Sequence, residues 1–171
     1  MSTYRLTVSA VFVAIGTLTA NLFYIPVGVS KCFPMQNMID ALTGALLGPV
    51  NATIIAFVIS LLRNLLGTGS PLAFPGSMIG ACLAGILYKR FHKIPAAMLG
   101  ELFGTGIIGA WISAFVSSFL LGKDVPFYFF VAPFMLSSGG GVILAGFLLK
   151  TPLFAQIGQK LLASDTRAHK E

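Results

Sequence analysis

The sequence predicts an all-α integral membrane protein, a bundle of six transmembrane helices with its N- and C-termini cytoplasmic. Three observations predict it. Hydrophobic residues make up 56% of the 171-residue chain against 9% charged, with a mean hydropathy of +0.90, and a water-soluble domain could not cover its surface with so few charges. The apolar residues fall into six runs separated by short breaks. The basic residues gather at alternate breaks. At this length the chain forms one bundle, with a transmembrane domain over 1–150 and a cytoplasmic tail, amphipathic to disordered, over 151–171.

A span needs about 20 mostly apolar residues. The first run, Arg5 to Tyr24, is long for a signal-peptide core, although Thr17-Leu18-Thr19-Ala20 resembles a cleavage site; it reads as a retained helix. The second, Pro34 to Leu47, is short and needs shielding, tilt or re-entry. Gly48-Pro49 breaks the chain before the third, Val50 to Leu66. Gly67-Thr68-Gly69-Ser70-Pro71 precedes the fourth, Leu72 to Tyr88. Pro95 suits the first turn of the fifth, Pro95 to Leu121. Gly122 and Pro126 separate it from the sixth, Phe127 to Leu149. The tail carries an apolar stripe, Leu153, Phe154, Ile157, Leu161 and Leu162, beside Gln156, Gln159 and Lys160, which suits a helix on the inner membrane surface. Fraying is expected from Ser164 to Glu171.

Positive charge orients the bundle. With the N-terminus inside, the cytoplasmic side receives Arg5, Lys89, Arg90, Lys93, Lys150, Lys160, Arg167 and Lys170, and the outer half receives Lys31, Arg63 and Lys123. Eight against three is a positive-inside bias. It also accounts for the net charge of +6 without a nucleic-acid partner. Small residues repeat at four-residue spacing: Ala10 and Ala14, Gly44 and Gly48, Gly76 and Gly80, Gly100 and Gly104. Such faces let helix backbones approach closely in lipid.

Catalytic chemistry is missing from the pattern. Gly122-Lys123-Asp124 lacks the first glycine and the hydroxyl of a phosphate-binding loop, so no ATPase is expected in this chain. His92 and His169 lie far from any carboxylate cluster, which argues against a metal site. Ser137-Ser138-Gly139 has no histidine at membrane depth to take a serine's proton. Cys32 and Cys82 make no disulfide framework.

Polar residues at depth carry the remaining signal, because charge inside a bilayer is costly. Asp40 lies about 9 Å from the outer end of its span and Glu101 about 10 Å from the inner end of its own; Arg63 is near the outer end of the third. They read either as an ion pair fixing helix register or as lining for a ligand cavity. Gln36, Asn37, Asn64, Thr68, Ser70, Ser77, Thr105, Ser113, Ser117 and Ser118 add hydrogen-bonding groups to the outer half. Trp111 is placed to stack on a flat ring.

Four segments, Lys31-Cys32-Phe33-Pro34-Met35-Gln36-Asn37, Ser60 to Ser70, Ala73 to Gly80 and Gly100 to Gly106, resemble the ThiW family, over most of the chain. That family comprises substrate-binding S components of energy-coupling factor (ECF) transporters. The resemblance implies a six-helix membrane protein of the cell membrane. It would capture a small heteroaromatic ligand, the thiamine precursor hydroxyethylthiazole, on the outer side. A transmembrane coupling subunit and two cytoplasmic ATPases would be its partners, so that ATP is used by them and this chain holds no cofactor. Members carry Ala-x-x-x-Ala in the first helix, matched by Ala10-Val11-Phe12-Val13-Ala14, which would dock the coupling subunit. The expected substrate site is Gln36, Asn37, Arg63, Asn64, Glu101 and Trp111. Two other readings of the residues stand beside it: a stand-alone proton-coupled carrier or channel using Asp40 and Glu101, and a structural subunit without a ligand.

Overall fold

The computed structural model describes residues 3–22, 25–27, 30–122 and 126–168. Helix α1 (Thr3–Leu22) leads to a two-stranded antiparallel hairpin, β1 (Ile25–Val27) and β2 (Ser30–Cys32), in which Pro26 faces Lys31. Then follow α2 (Pro34–Leu47), α3 (Pro49–Leu65), α4 (Ala73–Phe91), α5 (Ile94–Phe103), a π-helical segment (Gly104–Gly109) that runs directly into α6 (Ala110–Leu121), α7 (Tyr128–Leu149) and α8 (Pro152–Ala168). Over the described residues each predicted run is helical, the first as far as Leu22 with 23–24 outside them, and the fifth is one rod interrupted by the π turn. Ile94–Phe119 and Tyr128–Leu149 are long and apolar enough to cross a membrane. Large apolar side chains cover much of the outside, Phe119 and Leu65 among them. Water would not support such a surface on a soluble monomer.

Prolines start the helices and glycines end them. Pro34, Pro49 and Pro95 occupy first-turn positions, where a missing N–H costs nothing. Gly48, between α2 and α3, has φ of 82°, a backbone angle that disfavours any side chain.

The short α2 is central. It packs against α1, α3, α4, α5, α7 and α8, and its residues from Gln36 through Gly44 are all buried. Its depth is set by α7: a Cβ on Gly141 would lie 2.6 Å from Pro34 O and 2.7 Å from Met38 N. Helix α2 therefore begins about 20 Å along α7. Strand β2 and Phe33 fill the space above, with Cys32 Sγ donating to Pro133 O at 3.1 Å and Phe33 N to Ser137 Oγ at 2.8 Å. Shielding by neighbours is what lets so short a segment sit in the middle.

Apart from Gly48, which has nothing within 4 Å, the paired glycines pack inward. A Cβ on Gly44 would lie 2.9 Å from both Ala84 Cβ and Gly85 N, one on Gly100 2.6 Å from Leu83 O and one on Gly104 2.7 Å from Gly80 Cα, so α4 meets α2, α5 and the π segment backbone to backbone. Ala10 and Ala14 instead face outward on α1, beside exposed Leu6, Val11, Ile15 and Leu18. Helix α8 folds back on the bundle end, burying Leu161 in the core cluster with Phe154 and Ile157 packed against it, while Leu153 and Leu162 stay exposed. It also continues through Ala168, past the Ser164 where fraying is predicted; positions 169–171 of that prediction lie outside the described residues.

Candidate functional site

A cavity of about 350 Å³ opens above the N-terminus of α2, within the size range of small-molecule sites. Phe33, Gln36 and Asn37 form its floor. The loop from Gly67 to Ser70 and the first turns of α4, at Leu72, Ala73, Gly76 and Ser77, form one wall. Thr105 from the π segment and Phe130, Pro133, Phe134 and Ser137 from α7 form the other. No described residue lining it is charged. The short α2 creates this space, since a full-length helix would fill it. The π turn places Thr105: its hydroxyl is 3.0 Å from Gly76 O and 2.7 Å from Glu101 Oε1. Mid-helix π segments of this kind recur at functional sites.

A buried polar network stiffens the floor. Arg63, 1% exposed, donates to Gln36 Oε1 and, at 3.3 Å, to the carbonyl of Thr68. Its guanidinium lies 3.9 Å from the centre of the Phe33 ring, a cation–π contact. Gln36 Nε2 donates to Ser60 Oγ at 3.0 Å, and Ser60 and Ser77 hydroxyls are 3.0 Å apart. The chain thus ties α2, α3, α4 and the 67–70 loop together. Both ends of the Gln36 amide are used. Asn37 Nδ2 donates to Ser137 Oγ at 2.8 Å, while its carbonyl oxygen accepts no hydrogen bond from the described residues and remains available to a ligand.

The predicted site residues separate into layers. Gln36 and Asn37 line the cavity. Arg63 and Glu101 are buried behind it, reaching it through Gln36 and Thr105. Asn64 is half-buried, donates from Nδ2 back to Ser60 O of its own helix at 2.8 Å, and does not line the cavity. Trp111 does not line it either: it is 54% exposed and stacks edge-on against Phe115. The π turn and the tight α4–α5 packing turn the opposite side of that rod inward. The aromatic walls come from Phe33, Phe130 and Phe134. Arg63 forms no ion pair with Asp40, contrary to the pairing considered from their shared depth; amide and carbonyl oxygens take its hydrogen bonds. Ser137, considered in the sequence only as a nucleophile, holds the floor to α7. Its position in the sixth span beside three glycines was its visible signal.

The model of the family described as thiamine-precursor transporter protein (ThiW) matches residues 6–153. The chain belongs to the ThiW family. No curated protein matches it in sequence. ThiW is a transporter family, so a cavity that can hold a small molecule is the arrangement to be expected of this ThiW-family chain.

Ser137→Ala should loosen the site. It leaves Phe33 N–H and the Asn37 amide without their common acceptor, a cost of about 1–3 kcal/mol for buried donors. The expected result is a lower melting temperature together with a severalfold weaker ligand. A variant with wild-type melting and affinity would show that these two bonds do not hold the floor.

Proposed function

We propose that this protein is the substrate-capture S component of an ECF-type importer in the cell membrane, binding hydroxyethylthiazole on the outer side. The uncharged cavity carries the reading. Its aromatic and polar walls suit a small neutral heteroaromatic alcohol, and its volume of about 350 Å³ admits one. The cavity lies at the bundle end away from Lys89, Arg90, Lys93 and Lys150; with the basic end in the cytoplasm, it opens outward. Six spans follow, α5 and α6 counting as one, with α8 on the inner face.

A phosphate-binding loop is missing from the sequence, so ATP would be used by two ATPases joined through a coupling subunit. The exposed small pair Ala10 and Ala14 offers that subunit a close approach. Gln36 and Asn37 would touch the ligand, with Arg63 and Glu101 holding the groups that do.

The purified protein should bind hydroxyethylthiazole without ATP. Calorimetry on folded protein that detects no binding would reject this ligand. Ala10→Leu with Ala14→Leu should leave that affinity unchanged and abolish uptake by cells. Undiminished uptake would remove the docking role.

A further inference from the structure

Beneath the cavity floor, Asp40 on α2 and Glu101 on α5 are both fully buried, at 0% exposure. Neither oxygen of Asp40 has a hydrogen-bond partner, and Glu101 Oε2 has none either. Helix α2 packs against α5, and the charges of Glu101 and Arg63 both act on Asp40. Arg63 donates its hydrogen bonds to Gln36 and Thr68 instead. No other charged side chain from α2, α3, α4, α5 or α7 acts on the pair among the described residues. Two acids against one guanidinium, with three acceptor oxygens unmet, is an arrangement that a dry interior opposes strongly. The smallest group that supplies both the missing positive charge and a missing donor is a proton.

We propose that Asp40 and Glu101 form a proton-binding site beneath the cavity, and that Thr105 couples its occupancy to the bound ligand. Thr105 lines the cavity and its hydroxyl meets Glu101 Oε1. With Glu101 ionised, the hydroxyl donates to that oxygen and offers a ligand an acceptor. With a proton on Oε1, Glu101 donates to the Thr105 oxygen, and the Thr105 hydrogen turns to Gly76 O or to a ligand acceptor. The proton comes from solvent and returns to it; no other bond changes. A ring nitrogen, which accepts, favours the loaded form, so binding takes up protons and affinity falls as pH rises. The coupling rests on the ligand reading given above; the proton site does not.

Infrared spectroscopy of the protein in lipid vesicles tests the site without any ligand. A carbonyl stretch of a protonated carboxylic acid is expected in the wild type, weakened in both Glu101→Gln and Asp40→Asn. The same spectrum from wild type and from whichever of these variants folds would overturn the site. Calorimetry with hydroxyethylthiazole in two buffers of different ionisation heat tests the coupling. Buffer-dependent heats showing proton uptake are expected in wild type and Thr105→Ser, and buffer-independent heats in Thr105→Val. Equal heats or proton release in wild type overturn the coupling. If that compound gives no heat of binding at all, the ligand reading and the coupling fail together, and the infrared result still decides the proton site.

Discussion

Arg63→Ala is expected to destabilise the protein by about 1–3 kcal/mol for each buried acceptor it leaves without a donor, and to abolish ligand binding. The guanidinium is the node of the floor. Without it, Gln36 Oε1 and the Thr68 carbonyl lose their donor, and the Phe33 ring loses its cation. Asp40 loses the nearby positive charge as well. Arg63→Lys should recover part of the stability but little of the binding. A single ammonium cannot reproduce the planar fork that reaches Gln36 and the loop at once. Thermal unfolding in detergent, paired with calorimetry, measures both. An alanine variant that melts like the wild type and still binds would show that the network is ornamental.

The second large effect is expected at the glycine seam between α4 and α5. A Cβ on Gly100 would stand 2.6 Å from Leu83 O and 2.7 Å from Ala84 N. Those are backbone atoms, which cannot rotate away as a side-chain tip would. Gly100→Val should therefore separate the helices, at or beyond the upper end of the ~1–3 kcal/mol typical of overpacking, and little folded protein should accumulate in the membrane. Gly139→Ala is the matched control, since nothing lies within 4 Å of its Cβ position. Comparable yields and melting temperatures for the two variants would contradict the close approach of α4 and α5. The seam matters for the site because Gly76 and Gly80 sit on it. A Cβ on Gly80 would overlap Thr105 Oγ1 and Glu101 Oε2, so separation there moves the residue that joins cavity and carboxyl.

The sequence by itself determined the helical runs, their breaks at Gly48-Pro49, Gly67 to Pro71 and Gly122, and the gathering of polar groups near the starts of α2 and α4. Those features are local: run length, proline and glycine geometry, and the cost of polar groups in lipid act on neighbours in the chain. The small-residue spacing likewise marked Gly76, Gly80, Gly100 and Gly104, where helices meet closely, but Ala10 and Ala14 face outward and Gly48 meets nothing within 4 Å. It did not determine which polar groups reach the cavity. Gln36 and Asn37 were legible because they begin a helix too short to span. Trp111 was misplaced because a polar-tipped ring suits a pocket wall and a lipid-facing surface equally well, and the sequence does not give the rotation of α6. Tertiary structure decided that rotation through the π turn and the α4–α5 seam. It also decided that Arg63 bonds an amide and a carbonyl rather than a carboxylate, and that Ser137 anchors the floor. These are meetings between residues far apart in the chain, fixed by how the helices and the hairpin pack together, and no single segment encodes them.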